Sequence, residues 1–133
     1  MNEAEQAILT ALGNPEDSTQ INHAYFKFLK TEVFLPCEPG SDPNDPRVLF
    51  LEESEHIFLP IFSEQTYLET WAAEDQDKIN FFQVSGLELI MGLGENVTLA
   101  FNPGQASYKE FNPEEVTKLK TMVAKIQSLI QAN

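Results

Sequence analysis

One cysteine in 133 residues, Cys37, leaves no partner for an internal disulfide, and no thiolate-built zinc centre can be assembled from a single sulfur. That scarcity fits folding in a reducing compartment. Basic residues are few as well: 8 Lys and Arg stand against 21 Asp and Glu, for a formal charge of −13. Such a field repels phosphate backbones and anionic lipid surfaces, so neither nucleic acid nor a membrane is expected as a partner. No apolar run approaches the ~20 residues of a membrane-spanning helix. Glu3 and Glu5 stand where a secretory leader would carry basic residues. The expected location is the cytoplasm.

What the chain does have is apolar and aromatic bulk. A hydrophobic fraction of 42%, including ten Phe, is enough to fill one core, and the length suits a single domain over residues 1–133. The acidic excess keeps such a domain dissolved, and it is also the charge that a basic protein partner would recognise.

Periodicity gives the elements. Asn2 caps a helix on which Ala4, Ala7, Ile8 and Ala11 recur at helical spacing, and Ser18 caps a second with Ile21, Ala24, Tyr25, Phe28 and Leu29. Three strands are expected at 33–35, 48–51 and 57–62, the latter two continuously apolar and so buried on both faces. Glu52 to Glu55 is too short for a crossover helix, which makes the last two strands an antiparallel hairpin. The segment 37–46, rich in Pro, Asp and Asn, reads as an exposed loop.

Ser63 is expected to cap a helix bearing Tyr67, Leu68 and Trp71, and 79–84 forms the next strand. Ser85 and Glu88 make a capping box before Leu89 and Ile90. A strand at 97–101 halts at Asn102-Pro103-Gly104, where Pro followed by Gly suits a type II turn. After a short extended piece at 107–109, Asn112 and Pro113 open a long closing helix striped by Val116, Leu119, Val123, Ile126 and Ile130. The expected fold is α+β: a mixed sheet of five to six strands, with helices packed on both faces and strand-helix-strand crossovers beside the hairpin.

Reactive groups are sparse. His56 lies near Glu52, Glu53 and Glu55, but the group lacks the paired helical spacing of a zinc motif and reads as an acidic hairpin tip, so no metal ligand is assigned. Asp42, Asn44 and Asp45 resemble the start of a calcium loop without its glycine or final Glu. Cys37 has Glu32 and Glu38 nearby where an activated thiolate needs positive charge. Gly92-Leu93-Gly94 ends a helix instead of opening one, unlike a dinucleotide loop. No catalytic residue and no cofactor are assigned.

The order of the pieces resembles one family. Leu59-Pro60-Ile61-Phe62-Ser63, followed by a helix with Leu68 and Trp71, is similar to a segment of the SseB N-terminal domain. Leu99-Ala100-Phe101-Asn102-Pro103-Gly104 resembles its Asn-Pro-Gly strand and turn, and Phe28 to Pro36 resembles its opening. The resemblance covers nearly the whole sequence. It implies a bacterial cytoplasmic α+β domain, linked by name to serine sensitivity, with no catalytic residues to carry over. Longer members carry a second, C-terminal domain that these 133 residues do not include. The motif positions Pro60, Phe62, Asn102, Pro103 and Gly104 become the candidate binding residues.

Two functional readings stand side by side. One is a non-catalytic protein-interaction or regulatory domain with a basic protein partner. The alternative is a domain that binds a small, amino-acid-related molecule in the loops after Val84 and Phe101, with Asn102 and Gly104 facing the ligand.

Overall fold

A computed structural model describes residues 2–38, 40, 47–53, 55–73 and 80–131. Most of the loop expected at 37–46, the polar residues 74–78 and the first residue, Ile79, of the strand expected at 79–84 lie outside the described residues.

Helix α1 (Glu3–Gly13) starts where Asn2 Oδ1 accepts the Glu5 N–H at 2.8 Å. Helix α2 (Ser18–Lys30) is capped by Asp17, one residue before the expected Ser18, through the Thr19 and Gln20 N–H groups at 3.0 and 3.3 Å. Strand β1 (Glu32–Cys37) follows, then β2 (Leu51–Glu53), β3 (His56–Ile61), α3 (Gln65–Trp71), β4 (Asn80–Ser85), α4 (Gly86–Gly92), β5 (Val97–Phe101), β6 (Lys109–Phe111) and α5 (Pro113–Gln131). Ser85 Oγ and Asn112 Oδ1 cap α4 and α5 as expected, accepting the Glu88 and Glu115 N–H groups at 3.1 and 2.9 Å.

The fold is α+β, and the described residues form five helices and six strands in two sheets. β1 and β4 pair antiparallel from Glu32↔Ser85 to Cys37↔Asn80. The other sheet has the order β2-β3-β5-β6, in which β3 and β5 run parallel and the outer pairs are antiparallel. The expected hairpin of β2 and β3 is present. The expected strand-helix-strand succession is rearranged, because β4 pairs with β1 and the parallel pair joins β3 to β5.

Two prolines explain the division into two sheets. Phe34 and Phe62 exchange both backbone hydrogen bonds, at 2.8 and 3.0 Å. In an antiparallel ladder the next such pair lies two residues along each strand, which here sets Pro36 against Pro60. Neither has an N–H, so the ladder stops after one bridge. The Pro36 carbonyl instead accepts the Leu49 N–H at 2.8 Å.

One core lies between one face of the strands and four helices. It joins Ile8 and Ala11 of α1, Phe28 and Leu29 of α2, Ile90 of α4 and Leu119 of α5 to Val33, Leu35, Leu59, Ile61, Leu99, Phe101 and Phe111. Phe28 stacks on Phe111 with ring centroids 5.0 Å apart. Gly86 admits α4 against α2: a Cβ at this position would stand 2.1 Å from the Phe28 carbonyl oxygen. Among the described residues, only the short α3 lies on the opposite side of the strands, where Trp71 meets Phe62 at 5.5 Å. The apolar run at 48–51 is therefore not buried on both faces as expected; Phe50 and Leu51 are 53% and 64% exposed.

Candidate functional site: an aromatic groove over a buried polar clasp

Glu5 lies on the inner side of α1 and is only 2% exposed, although it is a carboxylate. Its charge is met by hydroxyls. Ser107 Oγ donates to Glu5 Oε2 at 2.8 Å, and the Tyr67 hydroxyl donates to the same carboxylate at 3.0 and 3.2 Å. Asn102 continues the chain. Its Nδ2 donates to Ser107 Oγ and to Ser63 Oγ, both at 2.9 Å, while its Oδ1 accepts the Ser63 N–H at 2.8 Å. Asn2 Nδ2 reaches the Ser63 carbonyl at 3.2 Å. The clasp thus ties α1, the start of α3 and the turn after β5 together. Among the described residues no buried side-chain polar atom lacks a partner.

The clasp fixes a turn. Asn102 sits in the left-handed region at φ 53°, where its N–H donates to the Ile61 carbonyl at 2.8 Å. Gly104 has φ 85°, and the Gln105 N–H returns to the Asn102 carbonyl at 3.1 Å. These are the marks of the type II turn expected at Pro103-Gly104. The turn presents Pro103 and directs the chain through Ser107 to Tyr108.

Over the clasp, on the sheet face away from the four-helix side, lies a groove of about 320 Å³. Leu51, Phe58, Pro60, Trp71, Ala100, Pro103, Tyr108 and Glu110 line it. Trp71 and Tyr108 remain 40% and 42% exposed. Glu110 stands beside Ala100 in the strand register and is exposed. Burial, and then the adjacent Glu110 carboxylate, push the Tyr108 phenol above its ordinary pKa, so it remains a neutral donor.

The five sequence-derived candidates converge here in different roles. Pro60 and Pro103 line the groove, Phe62 supports Trp71 from beneath, Asn102 holds the turn and Gly104 shapes it. Asn102 is fully buried and bonded, so its side chain does not face a ligand as the small-molecule reading requires. Val84, next to the end of β4 at Ser85, and Phe101, the end of β5, belong to different sheets. Sequence reasoning did not single out the groove walls Leu51, Tyr108 and Glu110, nor Glu5 and Ser107 in the clasp. The one available signal was Glu5 itself, a charge among Ala4, Ala7 and Ile8 on the apolar side of α1.

The remaining reactive groups lie apart. Cys37 is buried, its Sγ contacts the Leu35 carbonyl at 3.5 Å, and burial holds its thiol protonated by raising the pKa. His56 is exposed and lies 6.5 Å from the Phe58 ring. Among the described residues no group of three or more His, Cys, Asp or Glu side chains is placed to hold a metal ion. Among them, too, no helix is long and apolar enough to cross a membrane.

No curated protein and no solved structure shows a significant match to the chain. The family model of the SseB protein N-terminal domain matches residues 5–118, a span that includes Glu5 of the clasp, Pro60, Phe62, the Asn102 turn and the first turns of α5. With its motif residues gathered at one groove and that model covering most of its length, the chain belongs to the SseB family through the N-terminal domain.

Proposed function

We propose that the domain is a non-catalytic interaction module, acting in the cytoplasm, that takes an apolar segment of a basic protein partner in the groove. The observation behind this reading is the groove's composition. Leu51, Phe58, Pro60, Trp71, Pro103 and Tyr108 place an apolar, aromatic surface on a sheet face that, among the described residues, only α3 partly covers. Tyr and Trp are the residues that anchor protein interfaces, and a cluster of this kind is uncommon on a surface without a partner. Glu110 within the groove and the exposed Glu52 on β2, in a chain of charge −13, favour Lys or Arg next to the partner's apolar anchor.

The test is affinity purification from native cytosol with the wild-type chain, Trp71→Ala and Glu110→Lys, at low and high salt. A photo-crosslinking residue at Tyr108 maps the contact. The expected result is a basic protein crosslinked through position 108, weakened by salt and by both substitutions. Partners retained equally by both variants, or no salt-sensitive partner, would refute the reading.

A further inference from the structure

A second concave site lies on the other side of the molecule, between α1, α2, β6 and α5. Its walls are Ile8, Ala11, Leu12, Ile21, Ala24 and Phe111, and one end is closed by Lys109, Glu115 and Tyr25. Its volume of 170 Å³ is well below the ~300–1,000 Å³ of pockets for drug-sized ligands, so it admits only a small metabolite.

The polar end is an ordered trio. Lys109 Nζ lies 2.9 Å from Glu115 Oε2, and the Tyr25 hydroxyl donates to the same oxygen at 2.7 Å. Neither bond uses Oε1. The Lys109 and Glu115 side chains are 21% and 17% exposed, so the two charges are reachable yet poorly screened. A lone carboxylate approaching Lys109 would meet the Glu115 charge at hydrogen-bond range, and a lone amine approaching Glu115 would meet Lys109. A molecule carrying both charges on neighbouring atoms satisfies both groups. The aliphatic wall behind them offers no side-chain hydrogen bond, so the remainder of the ligand is apolar.

We propose that this pocket binds a small zwitterion with a branched aliphatic side chain, an α-amino acid of the size of leucine, its carboxylate on Lys109, its ammonium on Glu115 and its side chain among Ile8, Ala11, Ile21 and Ala24. The site is independent of the aromatic groove, and its failure would leave the interaction reading untouched.

The experiment is an amide chemical-shift titration of the full chain with L-leucine, compared with 3-methylbutan-1-amine and 4-methylpentanoate, which each keep one of its charges. The expected result is saturable shifts at Ala11, Ala24, Lys109 and Glu115, with each analogue bound at least about tenfold more weakly, or about 1.4 kcal/mol. Lys109→Gln, checked for folding by circular dichroism, is expected to lose leucine binding by a similar factor. Absence of saturable shifts at those positions would overturn the assignment. So would analogues that bind as well as leucine, or a folded Lys109→Gln that retains wild-type affinity.

Discussion

Replacing Asn102 by Ala tests the clasp directly. The side chain is fully buried and makes three hydrogen bonds: Oδ1 accepts the Ser63 N–H, and Nδ2 donates to the Ser63 and Ser107 hydroxyls. Alanine leaves the Ser63 N–H without a partner in the interior, at about 1–3 kcal/mol. It also replaces asparagine, which tolerates the left-handed region at φ 53°, by a residue that loses about 1–2 kcal/mol there. The serine hydroxyls can rotate toward other acceptors and add less. The expected loss is about 2–5 kcal/mol, a large share of the ~5–15 kcal/mol that holds a typical domain together.

Urea unfolding followed by circular dichroism, with Asn102→Gly and Asn102→Asp alongside, separates the contributions. Glycine loses the same hydrogen bonds but accepts φ 53° without strain, so it should be milder than Ala by about 1 kcal/mol. Aspartate keeps the acceptor for Ser63 but loses both donors, and it places a second carboxylate one hydroxyl away from Glu5. It should cost at least as much as Ala. An Asn102→Ala chain within about 1 kcal/mol of wild type, or one more stable than Asn102→Gly, would refute this account of the turn.

Other expectations follow from close contacts and from phenols set beside carboxylates. Gly86→Ala should destabilise by more than ~3 kcal/mol, because its Cβ would meet backbone, the Phe28 carbonyl oxygen at 2.1 Å, which no side-chain rotation relieves; a melting temperature close to wild type would contradict the α2–α4 packing. All three tyrosines should ionise above the ordinary value in an alkaline absorbance titration of the folded chain. Desolvation and the Glu5 carboxylate push Tyr67 from 10.0 up to about 12, and burial and Glu115 raise Tyr25 further. Since the folded pKa exceeds the unfolded one, the stability these phenols contribute is fully present below pH 10 and is lost as pH rises through the folded value, so urea midpoints should fall from about pH 10 upward. Normal titration of Tyr67 in the folded chain would place it outside the clasp.

Much of the local structure was legible because it depends on local chemistry. Asn2, Ser85 and Asn112 announced three helix starts, and each accepts an N–H from the first turn of its helix. The type II turn at 102–105 followed from Pro and Gly in sequence. What escaped depended on register and on partners distant in the chain. Ser63 read as a helix cap, yet Glu64 occupies that position and Ser63 bonds Asn102, 39 residues later. Glu5 entered the sequence argument only as an acid where a secretory leader would be basic, since nothing near it in sequence signals a partner 102 residues away at Ser107. The run through Phe50 and Leu51 read as buried because an apolar strand looks the same in sequence whether its outer face is covered or open.

That open face follows from the way the strands divide. Phe34 and Phe62 begin a ladder that would have joined all six strands, and Pro36 against Pro60 ends it after one rung. Beyond that rung the same edge of β1 bridges Val48 at Cys37, while its other edge pairs with β4 along its whole length. Among the described residues, the face carrying Phe58, Pro60 and Ala100 has one short helix at its border. Trp71 from that helix and Pro103 from the clasped turn rise at the margins, and the surface between them becomes a groove instead of a plain sheet. Pro60 therefore acts twice: by lacking an N–H it ends the ladder with β1, and by its ring it forms part of the floor that a partner would touch. The clasp contributes by holding Asn102 still, because a turn free to move would carry Pro103 and Tyr108 with it and leave a binding surface without a fixed shape.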